Sequence, residues 1–201
     1  MTLAKRLFDL VGAIIGTVIL APLIIIIALI VLAVDGRPIF FMAERMKTPT
    51  KDFRLIKFRT MKTSATDSGV SGGDKTSRIT RTGHFLRKAK LDEVPQIWNV
   101  LVGDMSFIGP RPPLRQYVER FPHIYQEVLR SRPGISGLAS VYFGAHESRL
   151  LARSRSSEET DKIYCRACIP RKARLDLLYQ GRRTLCYDIY LMLATVFKKL
   201  R

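Results

Sequence analysis

Residues Leu10 to Val34 read LVGAIIGTVILAPLIIIIALIVLAV, 25 residues in a row without a charge. A helix rises about 1.5 Å per residue and the hydrocarbon core of a bilayer is about 30 Å thick, so this stretch is long enough to cross as a helix. It is too long for the apolar region of a signal peptide, and no small-residue cleavage site precedes the rest of the chain, so it is expected to remain in the protein. Both flanks are basic, with Lys5 and Arg6 before it and Arg37, Arg45 and Lys47 after it. A spanning helix ordinarily carries its lysine and arginine bias on one side only. Near its centre Pro22 removes a backbone hydrogen bond, and each half, about 12 residues, reaches about 18 Å, roughly one leaflet. Two arrangements fit: a re-entrant helix that turns at Ala21-Pro22 and leaves on the side it entered, or a kinked spanning helix.

The remaining residues suffice for one compact domain, giving a division into a membrane element over 1–36 and a second domain over 37–201. A formal net charge of +17 implies an anionic partner: nucleic acid, anionic headgroups or a phosphorylated substrate. The apolar-aromatic runs RPIFFMAERM and KDFRLIKFRTM read as strands. Lys62 to Gly83, rich in Ser, Thr and Gly, reads as a loop. HFLRKAK begins a helical pattern that VPQIWNVLVGDM continues, and RQYVERFPHIYQEVLRS is helical with an interruption at Pro122. At the C-terminus Leu185, Ile189, Leu193 and Val196 share helical spacing, which fits either a membrane-interface helix with a cationic tip or a terminal core helix. The fold class expected is therefore α+β and mainly helical, with amphipathic helices at the interface. Cys165 and Cys168 form a CxxC, but zinc needs a second ligand pair at suitable spacing, so reduced thiols are expected for these and Cys186.

Within AKLDEVPQIWNVL, Asp92 and Glu93 are adjacent carboxylates in a cationic chain. Neighbouring helix residues point about 100° apart, so the two cannot easily share a proton and suit two different tasks. With Pro95 compatible with a first turn, Asp92 reads either as a capping residue with Glu93 solvated, or as part of a site where phosphate meets a helix start. Several cations stand at fixed places in the sequence: Lys57 and Arg59 in KFRTM, Arg87 five residues before Asp92, Arg111 between Pro110 and Pro112, and Arg130 and Arg132 before a Pro-Gly turn. Such a set suits a diphosphate, with Asp92 attacking phosphorus, Glu93 holding Mg2+ and Lys57, Arg59, Arg87, Arg111 and Arg132 offsetting charge.

KRLFD, KFRTM, RITRTGHFLRKAKLDEVPQIWNVLVGDMSFIGPRP and RPGISG, in this order, resemble the bacterial sugar transferase family, the polyprenyl-phosphate phosphoglycosyl transferases. The length resembles that of the small members. The resemblance implies a re-entrant helix anchored in one leaflet at the cytoplasmic face of a bacterial inner membrane. It implies that the aspartate matching Asp92 attacks the β-phosphate of a UDP-sugar, releases UMP and carries the sugar phosphate covalently until undecaprenyl phosphate accepts it, the first membrane step of glycoconjugate assembly. It further implies that Glu93 is associated with Mg2+ and that Arg111 lies at the active site. A homo-oligomer is compatible with it. The resemblance is carried as far as Gly137; the segment 145–174, with its CxxC, has no counterpart in these motifs. A basic membrane-tethered binding protein is the rival reading, but it has no use for the acidic pair, and no RNA-recognition signature or zinc-finger spacing supports nucleic acid as a partner. An inactive homologue kept as a scaffold is the other.

Overall fold

The computed structural model describes residues 2–62 and 69–197. Helix α1 spans Leu3–Asp35, started by Thr2, whose hydroxyl accepts from the Lys5 amide. The interruption expected at Ala21-Pro22 does not end it: helical conformation runs through Pro22. A proline removes one donor, and the turns on either side keep theirs. The buried residues Lys5, Asp9, Ala13, Ile27 and Val31 fall on one stripe, while Val18, Ile19, Ile25, Ile26 and Leu29 are exposed. By length and composition α1 is able to cross a bilayer.

Strands β1 (Phe40–Met46) and β2 (Asp52–Phe58) form an antiparallel hairpin, with Ala43 opposite Leu55 and Arg45 opposite Phe53. Alternation puts Arg45 and Lys57 on the same face as Ala43, Phe53 and Leu55, which packs on Ala13 of α1 and on Ile97 and Val100. The expected loop of 62–83 is shorter than its composition indicates. Residues 63–68 lie outside the described residues, Gly73–Arg78 form a 3-10 turn, and Met61 pairs with Ile79 in an isolated bridge. Helix α2 (Arg81–Ala89) already starts there, with the Thr80 hydroxyl accepting from the Gly83 amide.

The helical pattern expected around the acidic pair resolves into three pieces. After α2, Lys90 adopts a left-handed conformation (φ 57°), Leu91–Gln96 form a 3-10 helix, and α3 spans Ile97–Leu101. Strand β3 (Ser106–Ile108) pairs in parallel with β4 (Gly134–Ser136), and between them α4 (Arg115–Arg120) and α5 (Pro122–Val128) split where Pro122 was expected to interrupt. Then follow α6 (Leu138–Tyr142), α7 (Gly144–Leu151), α8 (Ser157–Ile163), a π-helical turn at Tyr164–Cys168, α9 (Ile169–Arg182) and α10 (Leu185–Val196). The architecture is mainly helical α+β with two small sheets. The largest apolar cluster joins Tyr117, Val118, Tyr125, Val128, Leu151, Tyr164 and Ile169 from α4, α5, α7, the π turn and α9.

Both ends of α1 are fastened to this domain. At the first turns Lys5 Nζ donates to Asp188 of α10 at 2.6 Å, and Asp9 accepts from Ser106 Oγ at 3.1 Å and from the Phe107 amide at 3.3 Å. At the last turn Thr82 donates to the Asp35 carboxylate, and Arg59 donates to the carbonyls of Asp35 and Gly36 at 2.5 and 2.7 Å. Cations at a helix C-terminus meet carbonyls that have no partner within the helix. In α10 the core side is Asp188, Leu191 and Ala194, and Leu185, Ile189, Leu193 and Val196 are exposed.

Candidate active site

Asn99 decides where the acidic pair sits. Buried in α3, its side chain accepts from the Ile56 amide at 3.1 Å and donates to the Arg54 carbonyl at 2.8 Å, as a neighbouring strand would. This docks the 3-10 helix beside β2. Three residues per turn send successive side chains about 120° apart, so Asp92 and Glu93 diverge. No side chain caps this helix, and Pro95 lies inside it rather than in its first turn. The capping reading of Asp92 is thereby corrected: a left-handed Lys90, not a polar side chain, turns the chain into the helix.

Glu93 is held by two cations on one oxygen. Lys57 Nζ reaches Oε1 at 2.7 Å and Arg111 Nη2 reaches the same atom at 2.6 Å. Burial works to raise the Glu93 carboxyl, but Arg111 and Lys57 outweigh it and hold it well below the usual carboxylate range. Arg111 is 41% exposed, so solvent screens part of its pull. Lys57 is itself lowered, by burial first and by Arg111 second, against the pull of Glu93. The carboxylate of Asp92 makes no hydrogen bond or ion pair among the described residues. Burial raises it above its ordinary value; Lys57 opposes that, Glu93 adds to it, and Arg87 and Arg111 oppose it. The pair is therefore a locked carboxylate beside an unengaged one of raised basicity.

Arg111 owes its place to backbone. The Gly134 amide donates to the Pro110 carbonyl at 2.8 Å, Gly109 to Ser136 at 2.9 Å and Met46 to Pro113 at 3.0 Å, so GPRPP is pinned to both β4 and β1. The close approach demands glycine: a Cβ at Gly134 would stand 2.2 Å from the Gly109 nitrogen, and one at Gly137 2.1 Å from the Gly109 oxygen. Arg87 donates through Nε to Thr60 Oγ1 at 2.9 Å and through Nη2 to Met61 Sδ at 2.8 Å, and acts on Asp92 from there.

Two cations expected at the site are elsewhere. Arg59, one residue past the end of β2, is buried with its guanidinium committed to the end of α1. Arg132 lies by Gly103 and Arg6, with Asp9 and Asp104 as its charged neighbours. Conversely, Arg45 belongs to the group. Burial, and then the nearby Arg111, lower it to about 10. Its parity with Ala43 on β1, a cation on the apolar face of a strand, was the sequence signal for it. Glu147, Tyr164 and Lys172 also border Arg111 or one another and were not marked by any motif. An open groove of about 580 Å3 lies between α5 and α9, around Ile124, Ala173 and Leu177, and the acidic pair does not border it.

Among the described residues no group of three or more side chains is arranged to hold a metal, and all three cysteines are free thiols. Burial pushes Cys168 up to about 11.

An unengaged carboxylate beside a carboxylate locked by cations, on a domain carrying one long apolar helix, makes this the candidate site of the chain. The bacterial sugar transferase family matches residues 1–201, and the chain belongs to it. It is 38% identical over 146 residues to a UDP-N-acetylgalactosamine-undecaprenyl-phosphate N-acetylgalactosaminephosphotransferase of Aeromonas hydrophila, covering 70% of this chain and 34% of that protein. It is 32% identical over 166 residues to a UDP-glucose:undecaprenyl-phosphate glucose-1-phosphate transferase of Klebsiella pneumoniae, covering 81% and 36%. A putative undecaprenyl-phosphate N-acetylgalactosaminyl 1-phosphate transferase of Bacillus subtilis is 40% identical over 118 residues, covering 58% and 66%. The chain thus spans about a third of the first two relatives.

Proposed function

We propose that this protein transfers a sugar 1-phosphate from a UDP-sugar to a polyprenyl phosphate, undecaprenyl phosphate in its relatives' names, through a covalent aspartyl intermediate on Asp92. The observation that carries the reading is the contrast between Asp92, without a hydrogen-bond or ion-pair partner among the described residues, and Glu93, bonded to both Lys57 and Arg111. In the first step an Asp92 oxygen forms a bond to the β-phosphorus, and the bond from that phosphorus to the bridging oxygen breaks. UMP departs with the electron pair. In the second step the phosphate oxygen of the polyprenyl carrier attacks the same phosphorus and Asp92 leaves as a carboxylate. Two like steps at one phosphorus let both acceptors use one cationic surface.

Lys57, Arg87, Arg111 and Arg45 exceed the two carboxylates by two charges, which suits a diphosphate. Arg59 and Arg132 serve the architecture instead. Mg2+ fits here: Glu93 Oε2 has no protein partner among the described residues, Asp92 is adjacent, and Mg2+ is commonly held by one or two carboxylates together with substrate phosphates. When bound it supplies positive charge to the diphosphate oxygens.

The protein works at the cytoplasmic face of a bacterial inner membrane with α1 inserted in one leaflet as a re-entrant element. Fastening of both ends of α1 to one domain supports this reading, as do basic residues on both flanks. Because Lys5 bonds Asp188, the exposed apolar stripe of α10 adjoins the start of α1, as an interfacial helix would. Purified protein in nanodiscs, given Mg2+, polyprenyl phosphate and a panel of UDP-sugars, is expected to release UMP from at least one of them. Asp92→Asn is expected to abolish release while leaving membrane association intact. No UMP from a broad panel, or full activity in that variant, would sink the mechanism.

A further inference from the structure

The segment 145–174, the part of the chain without a motif, groups Glu147, Tyr164 and Lys172 together, the first two within electrostatic reach of Arg111. Glu147, from α7, accepts from Lys172 of α9 at 2.7 Å, and the two side chains are 17% and 13% exposed. Lys172 Nζ lies 3.4 Å from the Tyr164 hydroxyl and 5.1 Å from the centre of its ring, and that ring packs on Tyr117 at 4.7 Å. Glu147 and Tyr164 both act on the Arg111 guanidinium. Taking an ammonium and a carboxylate largely out of water costs more than their attraction reliably returns, so such a pair is weak evidence of a stabilising device. A second carboxylate, Asp176, is buried close to both and is pushed up to about 7, by burial first. The packing between α7, the π turn and α9 thus carries a largely buried ion pair and a second buried carboxylate.

Their chemistry matches what hangs from the β-phosphate. Each sugar hydroxyl both donates and accepts; a carboxylate accepts from hydroxyls and an ammonium donates to them. Charged hydrogen-bonding groups with rotamers fixed by an aromatic neighbour discriminate well, because a wrong stereoisomer leaves them unpaired. Building on the nucleotide-sugar reading of the Asp92 site, we propose that Glu147 and Lys172, with Tyr164 positioning Lys172, form the sugar-selecting pair, contacting ring hydroxyls or an N-acyl group of the sugar while Arg111 holds its phosphate.

The experiment compares UMP release from UDP-hexoses and UDP-N-acetylhexosamines by the full chain and by Glu147→Gln and Lys172→Met, in nanodiscs. The expected result is a loss in kcat/KM of at least tenfold for the preferred sugar, with the ratio between preferred and next sugar moving toward one. UMP affinity, measured as product inhibition, stays within about twofold. Equal losses for every sugar, or a parallel loss of UMP affinity, would show that the pair supports Arg111 and would overturn the proposal. Glu147→Asp keeps the charge and withdraws it by one methylene, so it carries the same comparison if Glu147→Gln does not fold. A wild-type protein that releases UMP from no sugar refutes the transferase reading itself, a result visible before any variant is compared.

Discussion

Arg45 is the residue whose role is most sharply decided by its neighbours. It is a cation on the apolar face of β1, its only side-chain hydrogen bond among the described residues is to the adjacent Glu44 carbonyl, and Arg111 is close enough to weaken its proton affinity. Two guanidiniums near each other repel, and an anionic substrate bound between them would relieve that repulsion. Arg45→Gln is expected to raise KM for the UDP-sugar about tenfold, roughly 1.4 kcal/mol of binding, with a smaller change in kcat. A KM unchanged in steady-state UMP release would remove Arg45 from the site. Asp176 gives a prediction in pH. Its carboxyl is raised to about 7 from 3.8 by burial, helped by Glu147 and opposed by Lys172. The folded state thus binds more protons than the unfolded state between those values, so the Asp176 contribution is full below about 4 and is lost as pH rises through 7. Asp176→Asn is expected to flatten the fall in Tm between pH 5 and 8; an unchanged slope in thermal melts would dismiss that assignment. The acidic pair, Lys57, Arg87 and Arg111 were legible in the sequence because adjacent carboxylates in a basic chain and an arginine between prolines are unusual locally. Arg59 and Arg132 misled because cations near the same motifs look alike until tertiary contacts aim them. Arg59 has left the strand, so the alternation that turns Lys57 inward no longer governs it.

Between elements, a few polar side chains substitute for missing backbone partners. Asn99 serves β2 as a strand edge would, and through it the 3-10 helix bearing Asp92 meets Lys57. Asn99→Leu keeps volume but strips a donor and an acceptor from buried backbone, and is expected to cost about 3 kcal/mol and to lower kcat more than it raises KM. Chemical denaturation together with kinetics on the same preparation checks both. A second joint is Lys5 with Asp188, 5% and 1% exposed, reinforced by the Tyr179 hydroxyl donating to Asp188 at 2.6 Å. Removing one partner leaves a buried charge alone, so Asp188→Ala is expected to destabilise by about 3–5 kcal/mol, and the double change Lys5→Met with Asp188→Leu to recover most of it. A double variant as unstable as the single one would mean that the pair acts through something other than its charge. The hairpin and the helix split at Pro122 were readable from local pattern. The breaks at Lys90 and at the 3-10 helix were not, because the apolar period continues through them and the force that bends the chain is docking against β2.

For the whole molecule the question is how α1 meets the bilayer. Its exposed face carries Val18, Ile19, Ile25, Ile26 and Leu29, and a straight helix of 33 residues would be about 50 Å long. Were it to span, one end would lie across the membrane from the domain. Yet Lys5 and Asp9 are bound to α10 and β3, and Asp35 is bound to α2 and to Arg59. Pulling either end away strands buried charges, an expense of several kcal/mol per ion that a bilayer does not relieve. The prediction is that cysteines placed at Leu3 and Arg37, in a Cys186→Ser background, are both modified by a membrane-impermeant maleimide added to inside-out vesicles and both protected in intact right-side-out vesicles. Labelling of one position in each preparation would establish a spanning helix and require the contacts at one end of α1 to be absent in the membrane. Exposure of both ends on the domain's side would instead leave the apolar face of α1, opposite the stripe that packs on the domain, as the surface that enters a single leaflet.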